Sequence, residues 1–333
     1  MADVVTAWRR SAPAHIDRDL SALWRETGRD GAVTRAVMAN LVIVSSLSPE
    51  QTIESEIADR PVIDEVSLKH PSRVIQLLHV PSEHHVGGPD ESLVRVLTWG
   101  PANARYGVEQ IAVRARCTSA SLPSIVRGLS LGSLPTIVWW TDDLSRSTPL
   151  HDIMTMGRQL VFDSRRWQSA HAGARVALTV ARRAPHLDLR DVNWRRLVPV
   201  RQALVALSKA GHTSPRTWRL EHRAGESVLA WLAAGWLVAR DAAVFGDVTI
   251  RPFGRDSSDI LTMTGEDDAV VVRMDDSCVE AAHRGSGVPL VLAVRREEAS
   301  DAVASELKDL RRDVCLHDVL GVLAHFTAPG FAG

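Results

Sequence analysis

The chain has 333 residues, which at roughly 100–200 residues per domain favours two domains. Hydrophobic residues make up 45% and charged residues 24% of it, as in a globular protein that buries its core without disulfides or structural metals. The 39 basic and 40 acidic residues leave a net charge of −1, which argues against a dedicated DNA-binding protein and against attraction to a membrane surface.

Two biases in composition stand out. All but three of the basic residues are arginine, and ten tryptophans stand against one tyrosine. The arginine bias fits either a GC-rich genome or selection for planar, bidentate partners such as carboxylates and phosphates. Tryptophan and arginine are also the residues enriched at interface hot spots, so the composition alone leaves these interpretations open.

The three cysteines, Cys117, Cys278 and Cys315, are far apart and show no CxxC or Cys/His ligand spacing. This pattern indicates a reducing compartment and argues against structural zinc. The N-terminus carries no apolar signal-peptide core, and the longest apolar run, residues 228–239, is too short to span a bilayer. We therefore expect a cytoplasmic protein with no metal, no cofactor and no membrane partner.

The first 28 residues predict a helical arm whose apolar stripe contains Trp8, Leu20, Leu23 and Trp24. After the arm, β-rich apolar runs alternate with short helical patterns, which favours an α/β layer with a largely parallel sheet. The predicted strands cover residues 36–44, 73–80, 93–99, 109–116, 136–140 and 159–162, and the predicted helices cover 49–59, 122–129 and 151–158.

The pattern changes after residue 166. Helices are predicted over 167–183, 194–209 and 226–240, with a break at 185–191. Short alternating runs separated by turn residues then predict a mostly antiparallel sheet, with strands at 247–252, 259–264, 269–274 and 289–294 and closing helices at 299–311 and 314–325.

The predicted fold class is α/β (α+β): an N-terminal mixed or parallel sheet with helices, a helical connector, and a C-terminal mostly antiparallel sheet with helices. We expect three units along the chain. They are the helical arm over 1–28, an α/β domain over 29–166 and an α+β domain over 167–333.

No catalytic motif emerges from the residues. The glycine-containing segment 128–133 lacks the spacing of a phosphate-binding loop, and no GxSxG motif is present. Asp163 and Ser164 follow a predicted strand and precede a predicted helix, a position where their oxygens cap the orphan N–H groups of the helix. From the residues alone, no catalytic constellation rises above background.

Clusters of tryptophan, arginine and aspartate remain to be explained. Adjacent Trp139 and Trp140 on a strand must point to opposite faces. Three interpretations stay open: core packing with helix caps, an anchor patch for another macromolecule, or a ligand site. The candidate partner-binding residues are Trp139, Trp140, Asp163, Arg165, Asp191, Trp194, Arg196 and Arg201.

These clusters belong to five motifs that occur in the same order between about residues 40 and 273. They are Asn40-Leu41-Val42, His70-Pro71-Ser72-Arg73-Val74-Ile75, Leu134-Pro135-Thr136-Ile137-Val138-Trp139-Trp140, Asp163-Ser164-Arg165, and the spaced set Asp191, Trp194, Arg196, Leu197, Pro199 and Arg201. In this arrangement the chain resembles the glucose-6-phosphate dehydrogenase assembly protein family, OpcA. It departs from the family pattern at Ser72, where cysteine is frequent, and at Val200, where many members have tryptophan.

The resemblance implies a non-enzymatic partner protein that binds glucose-6-phosphate dehydrogenase and promotes its active oligomer. That role supports the oxidative pentose phosphate pathway and NADPH supply. A rival hypothesis from the residues is a sugar-phosphate-binding sensor or enzyme that uses the arginines near Asp163 and Asp191 in charge-assisted pairs. A third is a diverged paralogue with a different client, since a fold does not settle function.

Overall fold

A computed structural model describes two β-sheets and the helices that pack on them. The described residues are 4–5, 7–30, 33–58, 60–81, 89–101, 103–146, 151–210, 215–240, 243–254, 257–285, 288–309 and 311–325. Their helices are α1 (Ile16–Thr27), α2 (Ile53–Ala58), α3 (Pro61–Lys69), α4 (Leu122–Leu129), α5 (His151–Met154), α6 (Ala170–Arg183), α7 (Val192–Arg195), α8 (Val198–Lys209), α9 (Ser227–Ala239), α10 (Ala299–Lys308) and α11 (Val314–His325).

The larger sheet is mixed. Its strands are β1 (Val4–Val5), β2 (Arg9–Ser11), β3 (Val33–Arg35), β4 (Ala39–Ser46), β5 (Ser72–Pro81), β6 (Glu91–Trp99), β7 (Arg105–Cys117), β8 (Thr136–Trp140), β9 (Gln159–Phe162) and β10 (Asp188–Asp191). They are ordered β1-β6-β7-β5-β4-β8-β9-β10, with β2 on β6 and β3 on β7. The run from β7 to β10 is parallel, whereas β6 is antiparallel to β7.

Both faces of the larger sheet are covered. Strands β4 and β5 are buried along almost their whole length, as expected for parallel strands with helices on each side. Buried side chains of α1, α4 and α6 share one core cluster with one face. Buried side chains of α3 and α10 share a second cluster with the other face, so the last third of the chain returns to the sheet.

The smaller sheet is mostly antiparallel. Its strands are β11 (Trp218–His222), β12 (Val248–Pro252), β13 (Leu261–Gly265), β14 (Val270–Met274), β15 (Cys278–His283) and β16 (Leu290–Ala293), in the order β12-β11-β13-β14-β15-β16. Only β11 and β12 are parallel neighbours. Helix α8 contacts β14–β16 and helix α9 contacts β11 and β12, which buries one face of this sheet in the main core.

The predicted fold class is confirmed, and most predicted strands are present with ends shifted by a few residues. The sequence patterns missed β1, β2, β3, α3, β10, β11 and β15; β1 and β2 lie where the helical arm was predicted. Strand β10 lies within the predicted break at 185–191; its sequence, Asp-Leu-Arg-Asp, is mostly charged, and its buried Arg190 is paired with Asp188. The predicted helix over 194–209 is divided into α7 and α8, and Pro199 lies in the first turn of α8, where no N–H is needed.

The domain limits stay a prediction. Strands β1 and β2 precede α1 and pair with β6, so residues 4–5 and 9–11 contribute to the larger sheet. Strand β10, beyond the predicted limit at residue 166, pairs with β9 in the same sheet.

Candidate functional site at the junction of the two sheets

The candidate residues around Asp163 and Asp191 meet at one edge of the larger sheet. Strands β9 and β10 are parallel neighbours, with Phe162 opposite Asp191. Because parallel strands end at the same edge, Asp163 and Asp191 lie beside each other there, where ligand sites of open α/β sheets are usually found. The side chain of Asp163 accepts a hydrogen bond from the backbone N–H of Arg165 and caps the short turn Ser164–Arg166, whereas the helix that follows, α6, is capped by Ser169.

Asp191 is the buried acceptor at this edge. Its Oδ1 accepts hydrogen bonds from the backbone N–H of Ser164 at 2.9 Å and of Asn193 at 3.0 Å. The side chain is fully enclosed, and burial raises the pKa of Asp191 to about 7. Its second oxygen has no hydrogen-bond partner in the described part of the chain.

A chain of hydrogen bonds runs from this edge to the start of α9. The Asn193 amide donates to Ser164 Oγ at 3.1 Å, and Arg196 donates to Asn193 Oδ1 at 3.0 Å. The same guanidinium binds both oxygens of Glu226, at 2.6 and 2.8 Å. Glu226 immediately precedes α9, so Arg196 links the edge of the larger sheet to the helix beneath the smaller one.

Trp194 and Arg201 form the second part of the junction. The indole N–H of Trp194 donates to Asp313 Oδ2 at 2.9 Å, and Asp313 Oδ1 accepts from the backbone N–H of Leu316 in the first turn of α11. The Arg201 guanidinium lies 3.9 Å from the centre of the Trp194 ring, a cation–π geometry. Burial lowers the pKa of Arg201. Trp194 is 3% exposed and therefore holds the junction together from inside.

The other two candidate tryptophans are core residues. Trp139 packs in the cluster with α3 and α10, whereas Trp140 packs in the cluster with α4 and α6, so the two rings point to opposite faces as predicted. They are 8% and 1% exposed. In this conformation neither ring offers a surface to a partner.

An open groove lies beside the hydrogen-bonded junction. It has a volume of about 560 Å³ between the start of α8, the Asp275–Asp276 turn and the segment 293–299. Arg165 and Arg196 line it, together with three arginines that the sequence did not single out, Arg195, Arg295 and Arg296. The side chain of Arg165 is 42% exposed, and its hydrogen bonds to Asp163 raise its pKa.

The groove arginines differ in what they already bind. Arg165 is paired with Asp163, Arg196 with Glu226, and Arg195 with Glu297. Arg295 and Arg296 are exposed and make no hydrogen bond or ion pair with the described residues. They are therefore the arginines of this groove that are most readily available to another molecule.

A second depression, of about 830 Å³, lies along another side of α8. It shares Val198 and Gln202 with the groove and is lined mainly by apolar side chains, including Trp218 and Trp236. Val198 and Val205 are among the exposed large hydrophobic residues. Helix α8 therefore presents apolar side chains next to the arginines.

Sequence reasoning missed Arg195, Glu226, Asp313 and the segment that carries Arg295 and Arg296. The partners of the motif residues are distant in sequence: Arg196 and Glu226 are 30 positions apart, and Trp194 and Asp313 are 119 apart. Local patterns contain no signal for such pairs. The run Arg295-Arg296-Glu297-Glu298 is visible as a cluster of charges, but its place beside α8 is not.

Two further observations limit the kind of site. The described ranges contain no group of three or more His, Cys, Asp or Glu side chains placed so that they could hold a metal ion. No helix of those same ranges combines the length and apolarity needed to cross a membrane.

Comparison with known proteins identifies two family matches along the chain. Both belong to the OpcA family, described as the glucose-6-phosphate dehydrogenase subunit: residues 63–178 match its N-terminal domain, and residues 187–320 match its C-terminal domain. The two matches together cover most of the chain and include all eight candidate residues. No curated protein gives a significant match.

Solved structures show only a distant likeness. An aldose-aldose oxidoreductase from Caulobacter crescentus is 12% identical with a TM-score of 0.45, covering 86% of this chain and 97% of that one. A biliverdin reductase from Synechocystis is 11% identical with a TM-score of 0.42, covering 86% and 96%. At these values the likeness carries no argument about function.

Proposed function

Because the chain belongs to the glucose-6-phosphate dehydrogenase assembly protein family, OpcA, we propose that it is a non-enzymatic partner that binds glucose-6-phosphate dehydrogenase and promotes its active oligomer. The observation that carries the proposal is the pair of family matches, one in each half of the chain. In this role the protein acts in the cytoplasm and supports the oxidative pentose phosphate pathway and NADPH supply.

The mechanism is thermodynamic linkage. A protein that binds the active oligomer more tightly than the inactive form shifts the population toward the active oligomer by the difference in affinity. A tenfold shift requires a difference of only about 1.4 kcal/mol. A modest contact surface with a few arginine anchors is sufficient for that difference.

We place the partner contact at the groove beside α8. Arg295 and Arg296 are exposed there without an ion pair among the described residues, and exposed Val198 lies in the same wall. Arginine next to apolar surface is the chemistry of interface anchors. Asp191, Trp194, Arg196 and Arg201 are buried or half-buried, so their role is to hold the groove in shape.

The rival hypothesis of a sugar-phosphate site is less well supported by this geometry. It relies on the arginines near Asp163 and Asp191, and two of these already bind both oxygens of a carboxylate of the chain itself: Arg165 binds Asp163 and Arg196 binds Glu226. A phosphate would have to displace those carboxylates.

Reversing the charge of Arg295 and Arg296 tests whether the groove is the contact site. The double substitution Arg295→Glu with Arg296→Glu is expected to raise the Kd for glucose-6-phosphate dehydrogenase by about tenfold or more, because two exposed anchors change sign. The matched control is Arg182→Glu with Arg183→Glu, two consecutive exposed arginines at the end of α6. Binding is measured by surface plasmon resonance with the dehydrogenase from the same organism. Equal affinity for both double variants would remove the groove from the interface.

A further inference from the structure

The smaller sheet has one buried and one outward face. Along β11, Trp218, Leu220 and His222 point into the core, whereas Arg219 and Glu221 alternate with them and point outward. Helices α8 and α9 pack against the core side. On the outward side, the side chains of Arg219 and Arg251 are 46% and 58% exposed. This outward face is six strands wide; the outward side chains of its central strand β13, Thr262 and Thr264, are 9% and 8% exposed, so its exposed side chains belong to the flanking strands.

A regular row of charges crosses the outward face. The strand registers place Arg251 opposite Glu221, Glu221 opposite Thr262, Thr262 opposite Arg273, and Arg273 opposite Glu280. We call this transverse set the charged row. Read across the sheet, it runs Arg251, Glu221, Thr262, Arg273 and Glu280, so the sign sequence is plus, minus, neutral, plus, minus.

The charged row is complementary to itself when it is reversed about its centre. Consider two copies of the sheet packed face to face and related by a two-fold axis parallel to β13. This axis preserves the position of each residue along its strand and reverses the order of the strands across the sheet. Thr262 then faces Thr262 of the second copy. Glu221 faces Arg273, and Arg251 faces Glu280, which gives opposite-charge pairs on both sides of the axis.

The same row excludes the other simple arrangement. A two-fold axis at right angles to the strands would place each residue opposite itself, so that Arg251 would face Arg251 and Glu280 would face Glu280. Like charges in direct opposition are destabilising. The row therefore selects one axis, and with it an aligned packing of the two sheets, which for twisted sheets means an angle of about 30°.

Two members of the row form no ion pair with the described residues. Arg251 forms an ion pair with Glu221 at 3.0 Å, but Arg273 and Glu280 form no ion pair with the described residues. Arg273 is exposed and Glu280 is half-buried. These two are the groups that gain most from a second copy, since Arg273 gains a glutamate and Glu280 gains an arginine.

We infer that this outward face is an isologous contact with a second copy of the chain, in which the charged row pairs with itself about an axis over Thr262. At about 4.8 Å between strands and about 3.3 Å per residue, the face measures roughly 25 by 16 Å. Reversal about β13 superposes five of the six strands and leaves β16 outside, so the contact measures roughly 19 by 16 Å on each copy, at the small end of the known range of interfaces. We therefore expect a weak dimer that forms in the micromolar range and loosens as salt screens the charges.

The inference is independent of the proposed dehydrogenase contact, which lies at the groove. If both hold, one dimer presents two grooves and holds two dehydrogenase subunits together. Linking two binding events in this way raises the apparent affinity without any new contact.

Two single charge reversals and their mixture test the inference. Glu221→Arg puts an arginine opposite Arg273, and Arg273→Glu puts a glutamate opposite Glu221, so each variant alone is expected to lose the dimer. Mixed in equal amounts, the two restore opposite charges at both positions, and a heterodimer is expected. Sedimentation equilibrium over a range of concentrations, at low and high salt, measures all three samples, with Arg182→Glu on α6 as a control that keeps the dimer.

Arg251 and Glu280, the other pair of opposite charges across the axis, provide a second test that does not depend on how the first two variants fold. Arg251→Glu and Glu280→Arg follow the same logic, alone and mixed, and thermal unfolding verifies that each variant is folded. A wild-type chain that stays monomeric up to about 1 mM contradicts the inference of a dimer in the micromolar range, as does a dimer that the reversals leave intact. A face that these reversals show to bind the dehydrogenase, with no dimer at all, also overturns it.

Discussion

Glu109→Ala is expected to lower the free energy of unfolding by about 3–5 kcal/mol, because it leaves a buried arginine without its principal partner. Glu109 on β7 is 2% exposed and accepts a hydrogen bond from Arg73 on β5 at 2.9 Å. It also binds Arg35 at 2.8 Å and the indole N–H of Trp24 on α1 at 2.7 Å. One carboxylate on β7 therefore binds side chains of two other strands, β3 and β5, and of helix α1.

The second partner of Arg73 provides the control variant. Arg73 also binds Asp17 at 2.9 Å, but the side chain of Asp17 is 77% exposed. Asp17→Ala is therefore expected to cost less than about 1 kcal/mol, as exposed ion pairs usually do. Urea unfolding at pH 7 compares the two variants. Similar losses for Asp17→Ala and Glu109→Ala would contradict the view that burial of the Arg73–Glu109 pair sets the cost.

Asp191→Asn is expected to change how stability depends on pH. Burial raises the pKa of Asp191 to about 7 in the folded chain, against about 3.9 for an unfolded aspartate. Between about pH 4 and pH 7, Asp191 is protonated in the folded chain but ionised in the unfolded chain. The contribution of Asp191 to the free energy of unfolding therefore falls as pH rises from about 4 to about 7. At about 1.4 kcal/mol per unit of pKa difference, the free energy of unfolding falls by at most about 4 kcal/mol above pH 7.

Asparagine keeps the oxygen that accepts from Ser164 and Asn193 and cannot ionise. The variant is therefore expected to gain stability relative to wild type as pH rises from about 4 to about 7, and to hold that gain at higher pH. Urea unfolding at about pH 5, 6, 7 and 8 gives the difference between the two proteins at each pH. The exposed Asp247→Asn is the control. A difference that does not change with pH would show that Asp191 is ionised throughout in the folded chain.

The parallel core of the protein could be predicted because its signals are local. Strands such as β4 and β8 are continuous apolar runs, and the opposite directions of Trp139 and Trp140 follow from the two-residue period of a strand. Strand β10 was missed because its mostly charged sequence shows no apolar pattern, and its buried arginine is paired partly with residues distant in sequence. Arg190 is 4% exposed, and its partners include Asp188 within the strand and Glu306 on α10.

The candidate site was predictable only in part. The motif residues around Asp163 and Asp191 do meet at one edge, since Asp163 follows β9 and Asp191 ends the parallel strand β10. The sequence could not show which of them face solvent, because burial of Trp194 depends on Asp313, far along the chain. The exposed arginines of the groove come from the segment after β16, whose position is decided by packing of α10 on the larger sheet.

The most direct test of the account is the kinetics of glucose-6-phosphate dehydrogenase from the same organism, with and without this protein, alongside size-exclusion chromatography of the mixture. The account predicts that the two proteins co-elute and that the dehydrogenase gains activity or a lower KM for glucose 6-phosphate. The isolated protein is expected to turn over no substrate. A mixture that elutes as two separate proteins, with unchanged kinetics, would contradict the proposed function.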